Sequence, residues 1–317
     1  MELSTKEPCS LGNVRKKSLW RIVIGQRQLV FMSFPFVLWC VVFSYIPIWG
    51  WITAFMDYKP YKGLFDQTWI GMDNFVRLFQ TDMFWLSLRN TLAMSLINLV
   101  LGFVTAIGLA ILLNEVRQTV FKKVIQTISY LPHFVSWVVA ANLVYMMLSL
   151  DGPVNALLGA LGLTDAPVLF LGIKEAFWGI IGLSATWKEV GWNAIIYLAA
   201  MSMISPDFYE AAEIDGASRF QKIRHITLPG IRSVFVILLI MSIGYLLSSG
   251  FEQPYLLQNN LVTEYSQNLD IYVLKQGIAQ GFLSFATAAG IFKSLVSVVL
   301  ILMTNSLAKR MDEQGIL

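Results

Sequence analysis

Charge is scarce in this sequence. Only 14% of its 317 residues are Asp, Glu, Lys or Arg, against about 25% in an ordinary soluble domain. The net charge of +3 is too small to define a partner by its sign, so the location of each charge matters more than the total. Cys9 and Cys40, the two cysteines, have no metal-ligand spacing and build no disulfide framework. His133 and His225 are the two histidines, too few for a metal cluster and expected to be structural or surface groups. The pattern G-x-x-x-x-G-K-[ST] does not occur, so the chain has no phosphate-cradling loop of its own. No cleavable signal is expected. The first twenty-odd residues are polar, and the apolar run after them exceeds the roughly 7–15 residues of a signal core.

Long apolar runs are what the sequence has in abundance, with 56% of its residues hydrophobic. A helix crosses a bilayer in about 20 mostly apolar residues, rising ~1.5 Å per residue. The runs predict about six spans, at residues 29–55, 85–113, 124–150, 176–204, 233–251 and 284–307. The expectation is an all-α polytopic membrane protein with a permease domain over 29–310. A segment over 1–28 and a tail over 311–317 flank it. Fifteen loop and terminal Lys or Arg residues fall on the side of the N-terminus and five on the other, so both termini are expected in the cytoplasm. Residues 18–28, "SLWRIVIGQRQ", mix Trp, Ile and Val with Arg. They fit either a helix lying on the inner membrane surface or a cytoplasmic stub of the first span. Residues 57–83 and 151–175 are expected as short outer loops that could form a small cap.

One stretch breaks the apolar pattern. "YEAAEIDGASRFQKIRHITLPG", Tyr209–Gly230, places seven ionisable residues between two hydrophobic runs. Ser205 suits an N-cap and Pro206 the first helical position. Asp207 and Glu210 suit the positive end of the helix dipole. Phe208, Ala211, Ala212 and Asp215 share a face. Gly216 ends this helix or admits a close neighbour, and a second helix starts at Ser218. Leu228 precedes Pro229 and is expected to be extended, so that the helix stops there. The whole loop, residues 205–232, reads as a small-faced, charge-rimmed helix pair suited to docking in a groove on another protein. An amphipathic connector lying on lipid is the plainer reading, weakened by alanines that bury little area.

"EAAEIDGA" followed by "ITLPG" resembles the EAA motif of bacterial ABC importer permeases. Glu210, Ala211, Ala212, Gly216, Ile226, Leu228 and Pro229 match that motif, and Asp215, Ala217, Ser218 and Thr227 fit its carbohydrate-importer version. Ser233 departs from it, where many members carry a second Pro. "YLPHFVSW" (Tyr130–Trp137), "TWKEVGWNAIIYLAAM" (Thr186–Met201) and "FEQPYLLQN" (Phe251–Asn259) are similar to the branch that imports oligosaccharides and polysaccharide fragments. The resemblance implies a non-catalytic transport subunit in a multi-pass bacterial cytoplasmic membrane location. Its partners would be a homologous second permease, a cytoplasmic ATPase dimer, an extracellular sugar-binding lipoprotein, the oligosaccharide and the lipid bilayer, with no nucleic acid. This chain would bind no cofactor, ATP and Mg residing on the ATPase. The elbow around Gly216 would be the coupling element that sits in a cleft of that ATPase.

Ionisable groups inside a span cost roughly 2.5–3.5 kcal/mol each at mid-helix on insertion scales. Lys188 and Glu189 fall inside the fourth run. As neighbours in sequence they are not expected to face each other on a helix, so each needs a partner elsewhere. Sugars offer hydroxyls to polar groups and C–H faces to rings. Trp187, Lys188, Glu189, Trp192, Asn193, Tyr197, Tyr245, Glu252, Gln253 and Tyr255 are therefore the candidate pathway residues. Helix–helix contact explains such residues as well. Lys188, Arg89 and Lys293 would suit an acidic oligosaccharide, such as a pectin or alginate fragment, if they face the pathway. The alternative function is a polytopic membrane enzyme acting on lipid-linked glycans, with Glu210, Glu213 and Asp215 as its acidic group. A passive channel is a third reading.

Overall fold

A computed structural model describes residues 25–248 and 250–310 of the chain. The interfacial helix expected at 18–28 lies largely outside the described residues, as does the tail over 311–317. The described residues divide into two compact units, one ending at Ile52 and one beginning at Thr53.

Helix α1 (Arg27–Cys40) in the first unit continues through a π turn, Val41–Tyr45, into a 3₁₀ stretch, Ile46–Phe55, whose last residues belong to the second. The wide turn comes just before Pro47, whose missing N–H removes a helical hydrogen bond.

The second unit is built on long helices joined by shorter elements. A two-stranded antiparallel sheet pairs β1 (Met56–Asp57) with β2 (Thr68–Trp69), Met56 opposite Trp69. Helix α2 (Asp73–Gln80) follows, and buried Asn74 donates to the Ala54 carbonyl at 2.8 Å. Helix α3 (Asp82–Glu115) covers the second expected span without a break. Its Ser87, Thr91 and Thr105 hydroxyls bond back to carbonyls one turn earlier, which satisfies them in an apolar setting.

Residues 124–150 are not one continuous helix. Helix α4 (Thr119–Tyr130) ends in a 3₁₀ turn, Leu131–Phe134, and α5 (Trp137–Leu148) starts afresh behind a Ser136 N-cap, with α6 (Pro153–Ala160) after it. Pro132 lacks the donor an unbroken helix needs, and Val135 and Ser136 adopt extended backbone. Helix α7 (Phe177–Ser202) matches the fourth run.

Helix α8 (Pro206–Ile214), α9 (Arg219–Lys222) and α10 (Leu228–Gly230) form the charged loop. Helix α11 (Arg232–Gly244) follows at a bend of 57°. Short helices α12 (Glu252–Leu257), α13 (Thr263–Ser266) and α14 (Leu269–Leu274) lead to α15 (Leu283–Arg310). Among the described residues four helical stretches are long and apolar enough to cross a membrane, or up to five if the bent pair at residues 219–244 is one span. Helix α7 is not among them although it is 26 residues long. Lys188, Glu189 and Asn193 make it too polar, as befits a helix that faces protein.

The most extensive packing is α3 against α7. Ala106 and Ala110 of α3 meet Ala194, Tyr197 and Ala200 of α7. Small residues let the two backbones approach, since burying apolar surface drives no association in lipid. Gly182 shows the tightness: a Cβ there would collide with the Ile97 side chain.

Candidate functional site

Local chemistry builds the elbow at Ser205–Gly230. The Ser205 hydroxyl accepts from the Asp207 N–H at 3.3 Å, and Pro206 opens α8. At its other end the Ala217 N–H donates to the Ala212 carbonyl at 2.8 Å and the Gly216 N–H to the Glu213 carbonyl at 3.1 Å. This pair of bonds is a Schellman cap, which requires a left-handed residue, and Gly216 supplies it at φ +75°. Ser218 and Gln221 then form a reciprocal capping box that starts α9. Two contacts close the elbow: Lys222 Nζ to Glu213 Oε1 at 2.7 Å, and Tyr209 Oη to Thr227 Oγ1 at 3.0 Å. The Lys222 hydrogen bond, with its positive charge, holds the Glu213 carboxyl below its ordinary range.

Leu228 corrects the expected ending. It is helical, at φ −63° and ψ −45°, not extended. The chain widens into a π turn at Ile223–Thr227 ahead of Pro229, as it does ahead of Pro47, so the helix absorbs the proline. The bend comes at Ile231. Gly230 fits there because a side chain would strike Ile204. Glu210, Ala211, Asp215, Gly216, Leu228 and Pro229 are exposed, and Ala212, Ala217 and Ile226 half-buried. Phe208, Ile214 and Phe220 also stand exposed.

The intramembrane candidates separate into four settings. Lys188 and Glu189 do touch, Nζ to Oε1 at 3.1 Å, because the long Lys side chain curls back where the helix geometry keeps the two Cβ atoms apart. Lys188 is buried and donates to the His133 carbonyl at 2.7 Å, while His133 Nδ1 lies 2.7 Å from Glu189 Oε2. The His133 ring stacks on Trp192 at 4.3 Å between centroids, and Lys188 Nζ lies over the Trp137 ring at 5.4 Å. These residues clamp α7 to the break between α4 and α5. Gly191 completes the clamp, its Cα against the Ser129 carbonyl with no room for a Cβ.

Asn193, Tyr197 and Tyr245 belong to the second setting, a groove between α3, α7 and α11. It holds cavities of about 160 and 550 Å³ that share Asn98, Leu99, Leu238 and Ser242. The larger falls within the roughly 300–1,000 Å³ of small-molecule sites. Trp187 lies apart, in an apolar cavity of about 420 Å³ with Leu143, Met147 and Leu183. Gln253 is buried and donates to the Ile181 carbonyl and Ser184 Oγ, both at 2.8 Å, which makes it a helix-joining group. Glu252 and Tyr255 are exposed beside it, the Tyr255 ring stacked on Phe251 at 4.7 Å.

Asn98, Ser95 and Ser242 line the groove but were absent from the sequence-based set. The signal existed: Ser87, Thr91, Ser95, Asn98 and Gly102 recur at three- and four-residue steps inside an apolar run, one polar stripe of a helix.

Residues 98–313 match the family model described as binding-protein-dependent transport system inner membrane component. This chain belongs to that family. This inner membrane component is a multi-pass membrane protein. It is 43% identical to the polygalacturonan/rhamnogalacturonan transport system permease protein YteP of Bacillus subtilis, over 95% of this chain and 94% of that one. It is 30% identical to the arabinooligosaccharides transport system permease protein AraP of the same organism, over 95% of each. Among solved structures, a bacterial ABC transporter involved in the import of the acidic polysaccharide alginate matches with a TM-score of 0.84 and 39% identity, over 92% of this chain and 98% of that one. A bacterial alginate ABC transporter in complex with an alginate pentasaccharide-bound periplasmic protein matches at 0.85 and 38%, over 94% and 99%.

Proposed function

We propose that this chain is the permease subunit of an ATP-driven importer that takes acidic oligosaccharides from an extracellular binding protein into a bacterial cytoplasm. A homologous second permease completes the pathway, and a separate ATPase dimer binds ATP and Mg and hydrolyses the nucleotide. The elbow carries this reading. Glu210, Ala211, Ala212, Asp215, Gly216, Ala217, Ile226, Leu228 and Pro229 form a rigid, locally capped and largely uncovered element in a loop that charge assigns to the cytoplasm. Uronate polymers are the cargo in the names of the pectin-fragment relative and the alginate importers, which supports an acidic substrate here. The groove at Asn98, Asn193, Tyr197, Ser242 and Tyr245 offers amide, hydroxyl and ring groups to a sugar. Trp187, Lys188, Glu189, Trp192, Glu252, Gln253 and Tyr255 then act around that groove as supports or as its rim. The glycan-enzyme alternative lacks support from the family, and its acidic group is an exposed helix face in which Glu213 already pairs with Lys222.

The test is ATP hydrolysis by the purified complex in liposomes. Binding protein loaded with oligogalacturonate or oligoalginate is expected to stimulate it several-fold over unloaded protein. Stimulation by neutral oligosaccharides alone would refute the acidic-substrate reading.

A further inference from the structure

Arg89, Lys188 and Lys293 would each suit an acidic cargo, and the structure separates them. The Arg89 guanidinium lies over the adjoining Trp178 and Tyr265 rings, 5.5 and 4.9 Å from their centroids, and donates to the Glu264 carbonyl at 3.0 Å. The Lys188 ammonium is consumed by the His133 carbonyl and Glu189. Lys293 differs. It lies about 15 Å along α15 at 1.5 Å per residue and borders a cavity of about 440 Å³ with Ser294, Ser297, Tyr245 and Ser248. Tyr245 and Ser248 also border the 550 Å³ cavity of the groove, so one rim carries hydroxyls, an amide and a single ammonium. That ammonium is paired with Asp270 of α14.

We propose that Lys293 is the residue that selects carboxylated sugars, with Asp270 as an internal stand-in for the substrate's carboxylate. The inference rests on the acidic-substrate reading above. An ammonium in a semi-apolar wall is costly without a counter-charge, and Asp270 supplies one while the path is empty. A uronate carboxylate has the same charge and oxygen geometry and exchanges for it. Asp270 keeps 25% of its side-chain surface exposed, so it takes up water when released. A neutral sugar has no group that can replace Asp270, and for it the pair stays shut.

The experiment compares uptake of oligogalacturonate with uptake of its fully methyl-esterified form, at saturating binding protein, in liposomes holding the whole complex. Three complexes are used: unaltered, Asp270→Asn with Lys293→Gln, and Lys293→Arg. The paired change removes both charges, so no unpaired carboxylate is left to unfold the protein. Co-purification with the partner chains checks assembly. The double variant is expected to lower the acid-to-ester ratio about tenfold, equivalent to ~1.4 kcal/mol, and Lys293→Arg to keep it within about threefold of the unaltered complex. Acid and ester uptake falling together would make the pair purely structural and overturn the proposal. So would an unchanged ratio in the double variant. An unaltered complex that moves ester as fast as acid overturns the substrate reading itself, and the assignment of Lys293 with it.

Discussion

The elbow and the clamp around His133 both combine charged and aromatic groups, yet they are made in opposite ways. The bonds that shape the elbow stay within it: Ser205 with Asp207, Ala217 with Ala212, Ser218 with Gln221, Glu213 with Lys222, and Tyr209 with Thr227 eighteen residues on. The clamp joins His133 to Lys188 and Glu189 across more than fifty residues. The elbow leaves Ala211, Gly216 and Phe208 uncovered, whereas the clamp leaves Lys188 only 5% exposed. An element that makes its own bonds and keeps its surface free is suited to receive a partner. An element whose polar groups are consumed inside the fold is suited to hold a shape.

The clamp should therefore fail hardest when cut. Lys188→Met strips the His133 carbonyl of its donor and Glu189 of its cation. Removing one member of a buried charge pair costs roughly 3–5 kcal/mol. Glu189 is 32% exposed and recovers part of that from water, so a loss of about 2–3 kcal/mol is expected, read as a lower melting temperature of the detergent-solubilised complex. Adding Glu189→Gln should return a portion of it. A melting temperature within a degree of the unaltered protein would show the clamp to be decorative.

The elbow should fold nearly unharmed under a change that ruins its surface. Gly216 has no heavy atom within 4 Å of where a Cβ would stand and is exposed, so the Cβ of Gly216→Trp has room. The strain of a side chain at φ +75° costs about 1 kcal/mol. If the elbow docks in the ATPase, the variant still reaches the membrane and melts within a few degrees of the unaltered complex, but its uptake falls about tenfold or more, which corresponds to ~1.4 kcal/mol of lost coupling. Uptake at the unaltered rate would remove the docking role.

The same contrast explains what could be read from the sequence. Caps, the left-handed glycine and the continuous helices α3 and α15 follow from neighbouring residues and from hydrophobic run length. The Leu228 expectation failed because the bias against a helical residue before proline is only a local preference. The π turn at Ile223–Thr227 widens the helix ahead of Pro229, where the ring lacks an N–H and would crowd the carbonyl four residues back. The break in the helix at residues 131–136 was missed for the converse reason: run length saw enough apolar residues, while Pro132 and the clamp fix a break. Lys188 and Glu189 were judged by the direction of their Cβ atoms, which says little about where a four-carbon side chain ends. Which polar groups line the groove and which merely join helices, as Gln253 does, depends on helix rotation in the assembled bundle. The stripe from Ser87 to Gly102 marks a polar face of α3 but not what faces it.

The smallest expected effect concerns the Lys222–Glu213 ion pair of the elbow. The bond from Lys222, and then its positive charge, lower the Glu213 pKa in the folded chain, with a lesser contribution from Arg117. A carboxyl whose folded pKa is depressed adds stability that is present above its unfolded value, ordinarily about 4.3, and is lost as pH falls through the lower folded value. Glu213 is 63% exposed, so water and salt screen the pair and the effect is confined to the elbow. Amide hydrogen exchange over residues 211–222 is the suitable measure, taken as the ratio of unaltered protein to Glu213→Gln at each pH so that the intrinsic pH dependence cancels. The unaltered protein should be modestly better protected at pH 7 in low salt, and the advantage should shrink with added salt and vanish in acid. An advantage that survived acid would mean that packing of the Glu213 stem, not its charge, ties α8 to α9. The elbow would then be less purely a structure of local polar bonds than its contrast with the clamp requires.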